Sequence, residues 1–239
     1  MSMILPCYPA MTAAEFSAAE QLPANTGWMA CHFSSSGKGL SNIPAHLPPG
    51  SLLILSDEIP ICGHDPRQIL QELSDTIAKQ SCCGLLLDLQ RQDVDETASL
   101  CRILVDQLPC PVGITEYYAQ DLPCPVFLSP PLRKPLEQIL APWRGREIWL
   151  EAALDAQEVT ITNDGATIRS CPLSQLPEPY FLEKALHCRY HWQKLADRVV
   201  FTVQRTSEDL ISLLESASRL GVTKAVGLYQ QLRFFPEFL

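Results

Sequence analysis

Short, continuously apolar runs alternate along the chain with longer amphipathic runs, and this alternation predicts the fold. The apolar runs have the length and composition of strands in a parallel sheet whose two faces are both covered. Nine candidate strands can be read in the sequence, at residues 4–8, 28–33, 51–55, 84–90, 111–115, 125–128, 148–154, 199–203 and 225–229.

The amphipathic runs between these strands predict the helices that cover the sheet. One run begins at Asp65 and carries Ile69 and Ile77 on a single face. A further outer helix is predicted over residues 178–196. Strands that alternate with helices over this length favour an α/β fold, a (β/α)8 TIM barrel, in which residues 1–239 form a single domain.

The number of candidate strands exceeds the eight places of such a barrel. Residues 4–8, followed by the capping pattern Thr12-x-x-Glu15, form one possible strand–helix unit. The link from Thr115 to Pro125 is short for a helical crossover. We therefore expect either that one candidate strand lies outside the barrel or that one unit is degenerate.

A β-hairpin insertion is predicted near residues 158–170, and the insertion as a whole at about 156–172. Residues 159–162 alternate, Asn163-Asp164-Gly165 is a turn sequence, and residues 166–169 return. Because the hairpin follows a barrel strand, it is expected to rise from the carboxyl-end rim.

Composition excludes several classes of partner. The net charge is −9 and no basic block is present, which disfavours binding to nucleic acid and to anionic membranes. No apolar run reaches the roughly 20 residues of a membrane span, and the amino-terminal residues do not form a secretory signal. Ten cysteines without a C-x-x-C pair are typical of reduced thiols, so a cytoplasmic location is expected.

The stretch CCGLLLDLQRQD, residues 82–93, places polar groups at the end of an otherwise buried strand. If alternate residues point into the barrel, Leu86, Asp88 and Gln90 face inward, with Gln90 nearest the carboxyl-end mouth. Barrel enzymes keep their reactive groups there. The alternative is that Asp88 pairs with an inward arginine and Gln90 satisfies a neighbour.

The same stretch resembles the signature strand of the family-18 glycoside hydrolases, the chitinase-like barrels, which reads D-G-x-D-x-D-x-E. Gly84 and Asp88 match that pattern, whereas Cys83, Leu86 and Gln90 stand at its other three acids. The resemblance implies a sugar-cleaving barrel in which the glutamate protonates the glycosidic oxygen and the neighbouring aspartate orients the acetamido group. It also implies that this strand is the fourth and that an insertion lies late in the barrel.

Gln90 changes the chemistry that the resemblance implies. General acid catalysis needs a proton that can be donated near the working pH, and a primary amide has none. A glycosidase of the usual kind needs two carboxyl groups. The chain has therefore lost this mechanism, or another acid replaces the glutamate. An amide can still bind a sugar hydroxyl, both as donor and as acceptor.

Two glutamates are the candidate catalytic acids. Glu151 faces inward if Trp149 does, and burial there would raise its pKa unless an arginine neutralises it. Glu116 follows a predicted strand and precedes Tyr117, whose ring could pack on a sugar; the alternative is a solvated loop. Gln204 and Tyr229 also lie at predicted strand ends, so we include both among the ligand-binding candidates with Asp88, Gln90 and Tyr117.

No cofactor and no metal are predicted. The run at residues 32–39 does not fit the phosphate-binding pattern G-x-x-x-x-G-K-[ST], and no G-x-G-x-x-G is present. His187 and His191 are four apart on a predicted helix but lack an evident third ligand, so a surface pair is the better interpretation.

Three functions remain open. The leading hypothesis is a glycoside-hydrolase-like barrel that binds a carbohydrate or another small polar ligand at its mouth, with weakened or absent catalysis. The second is an active barrel enzyme of another class that uses Glu151 or Glu116 as general acid/base. The third is a non-catalytic structural or partner-binding barrel. The phenylalanine-rich tail, residues 233–239, either docks on the barrel or makes a homodimer contact.

Overall fold

The computed structural model describes residues 5–61, 63–92 and 95–235. The chain divides into two compact units. The barrel unit is built from Pro6–Leu128, Gly145–Glu151 and the described residues from Val222 onward. The sheet unit is built from Ser129–Arg144 and Ala152–Gly221, with Leu5. That the two form a single domain stays a prediction.

The barrel unit contains a closed ring of eight parallel strands. In chain order these are β1 (Cys7–Met11), β2 (Gly27–Phe33), β4 (Leu52–Ser56), β5 (Gly84–Asp88), β6 (Val112–Thr115), β7 (Val126–Leu128), β8 (Ile148–Glu151) and β14 (Lys224–Leu228). The ring closes because β1 pairs in parallel with both β14 and β2. A short extra strand, β3 (Leu40–Ser41), pairs antiparallel with β2. The predicted (β/α)8 barrel is confirmed, and β5 is its fourth strand.

Within its described residues, the barrel unit has five α-helices: α1 (Ala13–Ala18), α2 (Pro66–Gln80), α3 (Asp95–Gln107), α4 (Glu116–Ala119) and α7 (Tyr229–Leu232). The predicted capping box opens α1, since Thr12 Oγ1 accepts from the Glu15 amide while the Glu15 carboxylate accepts from the Thr12 amide. The unit between β6 and β7 is degenerate, because α4 is a single turn. No helix of the described residues is long and apolar enough to cross a membrane.

The amino end of the barrel lumen is filled by one large side chain. Trp149 is fully buried, and a Cβ added to Gly113 would lie 2.3 Å from the indole ring, so only glycine leaves room for it. The indole N–H donates to the Glu147 carboxylate at 2.8 Å, and the Lys224 ammonium lies 4.3 Å from the ring centroid. The layer above is apolar and includes Ile54, Leu86 and Phe127. The lumen is therefore a packed core below its carboxyl end.

The sheet unit contains a five-stranded antiparallel sheet in the order β10-β9-β13-β12-β11. Its strands are β9 (Ala156–Thr162), β10 (Gly165–Ser170), β11 (Phe181–Glu183), β12 (Cys188–Lys194) and β13 (Arg198–Gln204), and its helices are α5 (Leu136–Leu140) and α6 (Ser207–Arg219). The predicted hairpin is formed by β9 and β10, which are two of the five strands.

Two predictions in this region are wrong. The run at 199–203 is β13 of the antiparallel sheet, and it is the ninth candidate that has no place in the barrel. The helix predicted over 178–196 is instead the strand pair β11 and β12. In β12, Tyr190 and Trp192 alternate with polar neighbours, which is the period of a strand. His187 and His191 therefore do not share a helix face; His187 adopts a positive φ of 48° just before β12.

The carboxyl-terminal tail is described only in part. Phe235 is buried, whereas Phe234 is 72% exposed and lies under the Arg233 guanidinium. Phe238 and Leu239 lie outside the described residues. The first candidate strand begins at Cys7 in the structure, and Ile4 also lies outside the described residues. The homodimer contact stays a prediction.

Candidate functional site

Polar side chains line the inner face of the barrel at the carboxyl ends of adjacent strands. His32 on β2 is in register with Ser56 on β4, and Ser56 is in register with Asp88 on β5. Laterally paired residues in a parallel sheet share a face. Ile54 and Leu86, two residues earlier on β4 and β5, belong to the packed lumen. His32, Ser56 and Asp88, which we call the mouth row, therefore face into the barrel above this core.

Asp88 and Gln90 are joined by a direct hydrogen bond. Gln90 Nε2 donates to Asp88 Oδ1 at 2.6 Å, although Gln90 itself follows the last residue of β5 and is exposed. No arginine pairs with Asp88 in the described part of the chain. Burial raises the pKa of the half-buried Asp88 carboxyl, the charge of Asp57 raises it further, and the Gln90 hydrogen bond opposes both effects.

Asp57 holds the backbone that presents Gln90. Its Oδ1 accepts from the Gln90 amide at 3.0 Å and its Oδ2 accepts from the Arg91 amide at 2.8 Å. The Arg91 Nε donates to the Asp57 carbonyl at 2.9 Å, and Asp57 is only 5% exposed. The sequence signal for this clamp is an acid directly after a buried strand, but the partner of that acid could not be read from the sequence.

The following strand supports the same segment from its other side. Thr115 Oγ1 donates to the Leu89 carbonyl at 3.0 Å, and Tyr118 Oη donates to the Arg91 carbonyl at 2.6 Å. The residues that carry Gln90 are thus fixed by contacts from the ends of both neighbouring strands. This arrangement fixes the backbone that carries the Gln90 side chain.

Glu116 and Tyr117 lie in α4 and are both exposed. Tyr117 packs edge-on against Tyr118, with the ring centroids 4.9 Å apart. Both tyrosines line a pocket of about 420 Å³ together with Arg102 and other residues of α3 and the α4 region. The Tyr117 ring thus contributes to a pocket in the helical layer, and the structure does not place it in the mouth row.

Glu151 ends β8 and is half-buried. It is in register with Val226, a member of the lumen core, and it is two residues from Trp149 on the same strand, so it faces inward. Strands β6 and β7 separate β8 from β5, which places Glu151 and Asp88 on well-separated parts of the rim. Tyr229 is half-buried and opens α7 directly after β14.

Gln204 belongs to the sheet unit, where it ends β13. Its side chain is buried, and Oε1 has no hydrogen-bond partner among the described residues. Gln204 and the site candidates of the barrel therefore lie in different units. Over residues 5–61, 63–92 and 95–235, no group of three or more His, Cys, Asp or Glu side chains could hold a metal ion.

These features define a closed (β/α)8 barrel that carries a polar row at its mouth and an antiparallel sheet late in its sequence. Comparison with protein-family models gives no match, and comparison with curated proteins gives none at a significant level.

Solved structures share the fold. The chain is similar to the spore cortex-lytic enzyme SleL from Bacillus cereus, with a TM-score of 0.59 and 8% identity over 98% of this chain and 74% of that one. It is also similar to a family GH18 chitinase from Cycas revoluta in complex with allosamidin, with a TM-score of 0.57 and 11% identity over 94% and 95% of the two chains. For a chitinase from Chromobacterium violaceum the values are 0.56 and 8%, over 95% of both chains. The predicted resemblance to chitinase-like barrels is confirmed at the level of the fold.

Proposed function

We propose that this chain is a glycoside-hydrolase-like barrel that binds a carbohydrate at its carboxyl-end mouth through Asp88 and Gln90. The observation that carries the proposal is the hydrogen bond between Gln90 and the inward-facing Asp88, together with the hydrogen bond by which Asp57 fixes the Gln90 backbone amide. The barrel that presents this pair is similar in fold to that of a chitinase. Similarity to a chitinase whose structure holds allosamidin supports a sugar as the ligand class.

Gln90 makes the site better suited to binding than to acid catalysis. One N–H of its Nε2 is donated to Asp88, so the second N–H and Oε1 are left to donate to and accept from ligand hydroxyls. A primary amide cannot transfer a proton to a leaving group near neutral pH. Burial raises the pKa of the Asp88 carboxyl, and its oxygens can accept hydrogen bonds from the hydroxyl groups of a polar ligand.

A second candidate function is favoured by the position of Glu151. This carboxyl is half-buried and faces the lumen, so it could act as general acid/base in an enzyme that does not use the position of Gln90. Glu116 is exposed on a surface helix and is the weaker candidate for the same role.

The test of binding is a thermal-shift screen against oligomers of N-acetylglucosamine and of glucose. Ligand at 100 times its Kd stabilises a protein by about 2.7 kcal/mol, which raises the Tm of a chain of this length by roughly 5–10 °C. We expect the shift in the wild type, a loss of it in Asp88→Ala, and no loss in Glu58→Gln, a change to an exposed carboxylate near the clamp. Absence of any shift in the wild type would overturn the proposal.

Release of reducing ends separates binding from hydrolysis. We expect no release by the wild type and measurable release by Gln90→Glu, which returns a proton donor to the position next to Asp88. Release by the wild type that is abolished by Glu151→Gln would instead favour the second candidate.

A further inference from the structure

His32 faces the barrel lumen because a β-bulge reverses the alternation of β2. Trp28 packs on Phe16 of α1, outside the barrel, so strict alternation would also point His32 outward. The register of β2 against β4 shifts between Trp28 and Cys31, which inserts one residue. After the bulge, the fully buried Phe33 packs on His64, and His32 takes the inward side in register with Ser56.

The imidazole of His32 has an unsatisfied atom. Nδ1 is buried and has no hydrogen-bond partner among the described residues. Other imidazoles in the chain are engaged: both ring nitrogens of His64 contact backbone carbonyls, and Nδ1 of His187 and of His191 each contact a protein oxygen. A buried polar atom without a partner is unusual in a folded protein, and a bound molecule can supply the missing partner.

The second polar group of the mouth row lies at a defined spacing from this atom. One strand, β4, separates His32 on β2 from Asp88 on β5, so their backbones are roughly 9–10 Å apart. Both side chains project into the same lumen above the apolar layer of Ile54 and Leu86. A ring that carries hydroxyl or amide groups on two edges is of the right size to contact both.

We propose that His32 is a ligand-binding residue whose Nδ1 forms a hydrogen bond with a hydroxyl or amide group of the bound sugar, on the side opposite the Asp88–Gln90 pair. This inference rests on the proposed function and extends it, because it assigns the second point of attachment. It also specifies which nitrogen makes the contact, and substitutions that retain one ring nitrogen position at a time can test it.

The experiment compares three variants by calorimetric titration with the oligosaccharide that gives the largest thermal shift. His32→Asn retains a polar atom near the Nδ1 position, His32→Gln retains one near the Nε2 position, and His32→Phe retains only the ring. We expect the Phe and Gln variants to bind about tenfold more weakly than the wild type, and the Asn variant to recover most of the affinity. We also expect the Phe variant without ligand to melt no lower than the wild type, because it removes an unpaired polar atom.

The outcomes distinguish this inference from the proposed function. Wild-type binding with unchanged affinity in the Phe variant overturns the role of His32 and leaves the proposed function standing. Equal weakening of all three variants together with a lower Tm of each free protein shows a structural role and also overturns the inference. If the wild type binds none of the sugars, both proposals are overturned. Nitrogen NMR of the imidazole gives an independent readout, since Nδ1 should shift on addition of sugar to the wild type.

Discussion

Removal of the Asp57 carboxylate is the sharpest test of how the candidate site is built. Asp57→Ala removes the acceptor of two backbone amides, those of Gln90 and Arg91, whereas Asp57→Asn retains one acceptor oxygen. A hydrogen bond to a charged group contributes about 1.5–3 kcal/mol, and the lower figure applies here because solvent reaches the exposed Gln90. The expected loss in the free energy of unfolding is thus about 3 kcal/mol for the alanine variant and about half of that for the asparagine variant.

Urea unfolding followed by tryptophan fluorescence measures this loss, and the Tm should fall by roughly 6–12 °C in the alanine variant. Glu58→Gln is the matched control, because it removes a neighbouring exposed carboxylate whose side chain takes no part in the clamp. Both Asp57 variants should also bind sugar more weakly than the control, since Gln90 loses its backbone support. Variants of Asp57 that unfold within 0.5 kcal/mol of Glu58→Gln would refute the clamp.

Three further outcomes test other parts of the structure. Gly113→Ala should destabilise the barrel by about 1–3 kcal/mol, and Trp149→Phe in the same chain should relieve part of that cost, as urea unfolding of the double mutant will show. Burial raises the pKa of Asp88 from its ordinary 3.8, so the native state binds this proton more tightly than the unfolded state does, and the group lowers the free energy of unfolding as pH rises above 3.8. Asp88→Asn should therefore increase the free energy of unfolding, relative to the wild type, by more at pH 7 than at pH 3. An equal increase at both pH values would contradict the burial of this carboxyl. In the sheet unit, Asp209→Ala should lower the free energy of unfolding by about 2–4 kcal/mol and Glu208→Ala by under about 0.5 kcal/mol. Arg189 contacts both carboxylates, but only that of Asp209 is buried. Similar melting temperatures for the two variants would exclude this difference.

The barrel could be predicted from the sequence because its strands are continuous apolar runs separated by helical periodicity. The same criterion does not distinguish β13 from a barrel strand, since Val199, Val200 and Phe201 make it as apolar as the others. Amino-acid composition also does not show whether a strand pairs in a parallel or an antiparallel direction. The sequence predicts a helix in place of β11 and β12 because their apolar residues also occur at spacings that a helix allows. Tyr190 and Trp192 show the two-residue period once the turn before Cys188 is known.

The inward direction of Asp88 followed from simple alternation along a regular strand. The direction of His32 could not follow in that way, because the bulge after Trp28 changes which residues face the lumen. The contacts of Asp57 could not be predicted either, since its partners lie just after β5, more than 30 positions further along the chain. Local pattern thus predicts strand faces, whereas bulges and contacts between distant residues require coordinates.

The closure of the ring through β1 and β14 has a consequence for how the polypeptide is made. The ribosome delivers Cys7 more than 200 residues before its ladder partner Ala225. Throughout that interval the partly built barrel presents two open edges, while the whole of β9–β13 has already emerged and can pair among itself. Ring closure therefore cannot precede the synthesis of β14, and until then the unpaired edges of β1 and β8 are places where another chain could pair.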